Sequence, residues 1–152
     1  MRCRRNTAWV LAAVVALATG GPCGAAELTL ADPAGIAVRW SDWVEANGPA
    51  AVLVWASWAP GGEAVVAGLA DLAEAARARG LTLVVVDVQE EAAAAAAVLV
   101  GQAVPWLHDR HGAILKSYRL TQLPTLVVVD RAGRALGTLD ADPEALRGWA
   151  PR

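Results

Sequence analysis

Apolar positions along this chain fall into two patterns, near-continuous runs and spacings of three and four. Residues 50–56 and 81–88 are runs of the first kind, and an apolar run of that length without alternation predicts a strand covered on both faces of a sheet. Residues 63–79 show the second pattern. Val66, Leu69, Ala70, Ala73 and Ala76 share a helical face there, and Gly80 stands where a C-terminal cap belongs. Residues 90–100 predict an alanine-rich helix with Glu90 and Glu91 in its first turn, at the positive end of the helix dipole, and Gly101 as its stop.

Shorter segments fill the intervals. Residues 28–30 read as extended, ended by the turn chemistry of Asp32-Pro33-Ala34-Gly35. Ser41 is placed to cap a short helix over residues 42–46, with Trp40 outside it as a hydrophobic staple and Asn47-Gly48-Pro49 as its close. Residues 104–107 read as extended and 109–112 as a turn. Leu123-Pro124-Thr125 leads into a strand over 126–129, and Asp130-Arg131-Ala132-Gly133 turns it back into 134–139, a hairpin. Asp142-Pro143-Glu144 opens a last helix through Trp149. The order β-α-β-α-β-α-β-β-α predicts an α/β fold, a mixed sheet with helices on both faces.

The first residues change the picture of where the chain works. Arg2, Arg4 and Arg5 precede an apolar run over residues 8–18, followed by the small residues Gly24-Ala25-Ala26. That layout predicts a signal peptide over residues 1–26, and the run is shorter than the ~20 residues of a spanning helix. Export to the periplasm or the exterior is therefore expected, with residues 27–152 as one domain and no membrane span once the segment is cut. Cys23 offers an alternative, an acylated N-terminus, but Gly20-Gly21-Pro22 lacks the aliphatic residue such sites carry. Arg4-Arg5 fits a twin-arginine signal poorly.

Composition then narrows the chemistry. The formal net charge is −2 with 13 basic residues scattered along the chain, so no stripe of positive charge points to nucleic acid. Both cysteines, Cys3 and Cys23, lie in the leader, and the only methionine is Met1. Residues 27–152 thus hold no thiolate nucleophile, disulfide or thiolate metal site. His108 and His111, with Asp109 between them, are read as part of a surface turn rather than a metal site, since further ligands are missing. Ser57, Ser117 and Tyr118 have no base near them in sequence, and Asp87 and Gln89, at the end of a strand, read first as its cap and otherwise as polar groups able to approach a site. No metal and no cofactor is called for.

At Val54-Trp55-Ala56-Ser57-Trp58-Ala59-Pro60-Gly61-Gly62 the chain resembles the thioredoxin-like superfamily, most of all the exported thiol-disulfide reductases of cytochrome c maturation and related redoxins. That family reads Trp-Ala-x-Trp-Cys-Pro-x-Cys between a central strand and a helix. Trp55, Ala56, Trp58 and Pro60 match, whereas Ala59 and Gly62 replace the cysteines. The resemblance extends from about residue 28 to the C-terminus and aligns Pro124 with the family's cis-proline. It implies a thioredoxin-like fold, and Leu53 where many relatives keep a buried acid. It also implies a groove for an extended peptide formed by Trp58, Pro60, Gly61, Leu123, Pro124 and Thr125. With neither thiol present, the expected function is a redox-inactive, exported module that binds a protein or extended peptide of the cell envelope. The alternatives are a thiol-disulfide oxidoreductase of the same pathway and a purely structural domain.

Overall fold

The structure, a computed structural model, describes residues 27–151. The expected leader over residues 1–26, with Cys3 and Cys23, lies outside the described residues. Three central strands set the plan. β3 (Ala50–Trp55) is buried at every residue and lies parallel to β4 (Thr82–Val88), which lies parallel to β5 (Trp106–Asp109). On the other side of β3, β6 (Thr125–Val129) runs antiparallel and turns back into β7 (Ala135–Asp140). β1 (Thr29–Ala31) and β2 (Ala37–Arg39) close the far edge, giving seven strands in the order β2-β1-β5-β4-β3-β6-β7.

Six helices cover both faces of this mixed α/β sheet, as the patterning predicts. Alternation along β3 sends Ala51, Leu53 and Trp55 into one core with Leu69 and Leu72, and Ala50, Val52 and Val54 into the other with Val44 and Ile114. The first core lies under α2 (Gly62–Ala67), α3 (Leu69–Ala78), α4 (Ala92–Leu99) and α6 (Pro143–Gly148). The second lies under α1 (Trp40–Asn47) and α5 (Ala113–Tyr118). Full burial of a leucine or valine side chain contributes about 1.5–3 kcal/mol, so the sheet's two faces carry most of the stability.

Several local expectations are corrected. α1 begins at Trp40 rather than after Ser41. Trp40 is the helix's first residue, with its ring buried in the second core, and the Ser41 hydroxyl donates to Glu27 at 2.9 Å instead of capping. The long helix over residues 63–79 is two helices parted at Gly68. α4 starts at Ala92, so Glu90 and Glu91 precede its first turn, and the last helix stops at Gly148 with Trp149 beyond it. β2, β5 and α5 are additions to the predicted order, β5 overlapping the piece read only as extended over residues 104–107.

A side-chain clasp joins distant parts of the second core. The Trp40 indole donates to the Tyr118 hydroxyl at 2.6 Å, and that hydroxyl donates to the Gly133 carbonyl at 2.8 Å. The clasp ties α1, α5 and the β6–β7 turn together.

Candidate functional site

The loop leaving β3 is short and held by its own backbone. Ala59 N–H donates to Ala56 O at 3.1 Å and Gly62 N–H to Ala59 O at 3.0 Å, so the amides that open α2 are in part already used. Gly61 takes a left-handed backbone (φ 79), which spares a side chain from strain there. The turn exposes Trp58 (56%) and buries Ala59 (5%). Gly62 is also buried; a Cβ on it would stand 2.9 Å from Trp55 Nε1 and 3.0 Å from Ala56 O. The Trp55 indole donates to Gly62 O at 3.0 Å, and so rests against the position of the second cysteine in the resembling family.

Beside this loop lies a shallow depression of about 250 Å³. Of the residues expected to form a groove, Trp58, Pro60 and Leu123 line it, together with Ala59, Gln89, Leu115 and Leu120. The Leu123–Pro124 peptide bond is cis. Gly61, Pro124 and Thr125 are not in its lining. Thr125 opens β6 and turns its hydroxyl to the Leu139 carbonyl at 3.1 Å across the hairpin, which takes it away from the depression. Gln89, expected by default to cap a strand end and otherwise to approach the site, does enter the depression, with a left-handed backbone (φ 58) that is uncommon without glycine. Its side chain lies against Gly112, where a Cβ would meet Gln89 Cγ at 2.9 Å.

A polar cluster sits behind the loop; the sequence offered Asp87 as one approach to the site but gave no sign of the pairing of Ser57 with Glu90. Ser57, which had no visible base, gives its N–H to Glu90 Oε1 at 2.8 Å and its hydroxyl to Glu90 Oε2, although 33 residues separate the two. Asp87 is fully buried in β4 rather than capping its end, with Oδ2 2.6 Å from His108 Nδ1. Its Oδ1 is buried without a well-formed hydrogen-bond partner. His108 lies in β5, not in a loop, while His111 is exposed in the following turn and Asp109 Oδ2 accepts the Ile114 N–H at 2.8 Å. Among the described residues no three His, Cys, Asp or Glu side chains are arranged to hold a metal ion.

Burial pushes the Asp87 carboxyl up to about 9, and the neighbouring Glu90 and Asp109 carboxylates add to the rise. Asp87 therefore carries a proton at neutral pH. Partial burial works to raise Glu90 too, but hydrogen bonds from Asp87 and Ser57 outweigh it and hold Glu90 below the ordinary glutamate value. Leu53, on the same face of the neighbouring strand, is packed in the first apolar core. The buried acid of this site stands at the C-terminal end of β4 instead.

The profile of the AhpC/TSA family matches residues 23–135. No curated protein sequence matches the chain. Among solved structures, one from Chlorobium tepidum described as a thiol:disulfide interchange protein DsbE superposes with a TM-score of 0.63 at 24% identity, covering 80% of this chain and 89% of that one. A secreted disulfide oxidoreductase of Mycobacterium tuberculosis gives 0.61 at 18% identity, with 80% and 92% covered. The exposed lipoprotein thioredoxin Etrx1 of Streptococcus pneumoniae gives 0.57 at 25% identity, with 80% and 95% covered. The fold is thus thioredoxin-like, and the chain belongs to the AhpC/TSA family.

Proposed function

We propose that this chain is an exported, redox-inactive member of its family that binds an extended segment of a protein partner of the cell envelope in the depression beside Trp58. The observation that carries this reading is the loop itself. It keeps an exposed Trp58 beside a hollow that Pro60, Leu115, Leu120 and Leu123 make largely apolar, while Ala59 and Gly62 offer no sulfur for exchange. A thiolate is needed both to attack a disulfide and to resolve the mixed intermediate, and neither residue supplies one. Export rests on the leader pattern of residues 1–26 and agrees with the secreted and exposed relatives. Among the described residues no helix is long and apolar enough to cross a membrane.

Two measurements test the reading together. The purified protein is expected to leave insulin reduction by dithiothreitol at its uncatalysed rate. It is expected to bind reduced, carboxymethylated lactalbumin, an extended chain, and to lose at least fivefold in affinity on Trp58→Ala. Insulin turnover above background would favour the oxidoreductase reading. Equal binding by the wild type and the Trp58→Ala variant would favour a structural domain with an idle groove.

A further inference from the structure

The polar cluster behind the loop has no part in the binding just described, yet it grips the loop. Ser57 directly precedes Trp58, and Glu90 holds Ser57 by both its amide and its hydroxyl. Glu90 in turn stands beside Asp87, a carboxyl that water does not reach. Two carboxyls this close, one of them buried, cannot both be ionised without strong repulsion. A single proton on Asp87 lets them coexist, and the buried Oδ1, otherwise without a well-formed partner, can turn that proton toward Glu90.

We propose that Asp87, Glu90 and Ser57 form a proton-operated clasp on the Trp58 loop: while Asp87 is protonated Glu90 grips Ser57, and when Asp87 ionises Glu90 is driven outward and releases it. Glu90 is the partner that moves, because it is half-exposed and leaves for water, whereas Asp87 is locked in β4. The proton goes to solvent base, no other covalent bond is made or broken, and the two Ser57–Glu90 hydrogen bonds give way to bonds with water. The groups that face Asp87 are few. Glu90 comes from the segment after β4, His108 and Asp109 from β5, and Ser57 reaches the cluster through Glu90. α4 brings no titratable side chain, and Glu91 is paired outward with Arg110 at 2.5 Å. His108 stays on Oδ2 and Asp109 on the Ile114 amide, so neither replaces the lost proton on Oδ1. The raised affinity of Asp87 for its proton places the release on the alkaline side, near pH 9. This inference does not depend on what the groove holds.

The test labels the full chain with 5-fluorotryptophan, assigns the Trp58 resonance by its absence in Trp58→Phe, and follows the fluorine spectrum from pH 7 to 10. In the wild type the Trp58 resonance is expected to move in one titration centred near 9, with far-UV circular dichroism unchanged. Asp87→Asn, which cannot ionise, is expected to hold that resonance at its neutral position throughout. Glu90→Ala, which has no grip on Ser57, is expected to show the released position at every pH, and it serves as the deciding variant should Asp87→Asn fail to fold. A Trp58 resonance that stays still in the wild type overturns the clasp. So does one that titrates alike in Asp87→Asn, or one that sits in Glu90→Ala where the wild type has it at pH 7. Tyr118, whose burial raises its own titration above the usual tyrosine value, lies against Trp40 and is read at that resonance instead.

Discussion

A methyl group at position 62 would meet the Trp55 indole nitrogen at 2.9 Å and the Ala56 carbonyl at 3.0 Å, both below ordinary contact. Alanine is the better helix former by about 1 kcal/mol, but crowding of this kind in a packed interior costs about 1–3 kcal/mol and should win. Gly62→Ala is therefore expected to lower unfolding stability by about 1 kcal/mol in urea denaturation. An unchanged or raised midpoint would show that the indole gives way freely. Asp87 makes a second prediction, in pH. Its folded affinity for a proton is raised, from the ordinary 3.8 to about 9, so between those values the native chain binds a proton that the unfolded chain has lost. The stabilisation is complete below the ordinary value and drains away as pH rises toward 9, at about 1.4 kcal/mol per pH unit. Glu90 is depressed, so its own contribution is lost only as pH falls below the ordinary glutamate range. Urea midpoints from pH 5 to 8 should thus decline more steeply in the wild type than in Asp87→Asn, and parallel slopes would refute the assignment.

Elements of this chain answer to two kinds of signal, and only one is local. β3, β4 and the β6–β7 hairpin were legible because uninterrupted apolar runs and a strong turn sequence leave few other conformations open. β2 was not, since its three residues are exposed or half-buried and owe their strand to pairing with β1. α5 was missed for a related reason. It starts after Gly112 with no side-chain cap, and its first turn is held by Asp109 from the preceding strand. The break at Gly68 escaped the helical periodicity because the apolar face runs straight through it. A Cβ at Gly68 would find nothing nearer than 3.6 Å. Gly68→Ala should therefore raise stability by about 0.5–1 kcal/mol, through a smaller loss of backbone entropy on folding. Thermal or urea unfolding checks this, and a loss would mean that the break is required. At α6 the Asp142 side chain accepts the Ala145 N–H at 3.0 Å, so Asp142→Ala should cost about 1 kcal/mol by the same measurement.

At the scale of the whole molecule, stability and site both depend on contacts between segments far apart in sequence. The Tyr118 hydroxyl joins Trp40 to Gly133, residues that no periodicity relates. Tyr118→Phe leaves the buried Trp40 indole and the half-buried Gly133 carbonyl without their partner and should cost about 1–3 kcal/mol, with the fold kept. A change below 0.5 kcal/mol in urea denaturation would show that water replaces the hydroxyl. The candidate site was legible to the same degree. The Trp58 loop announces itself in one stretch of sequence, while the Ser57–Glu90 grip and the Asp87–His108 pair exist only once β3, β4 and β5 lie side by side.

One property of the described body reaches into practice. Residues 27–151 contain no cysteine, and Gln122 stands exposed on the rim of the hollow that Trp58 lines. A cysteine placed at Gln122 would be the only thiol in this body, so a maleimide dye attached there would answer to groove occupancy without competing labels. With no second thiol among residues 27–151, the dye's signal would belong to that hollow alone.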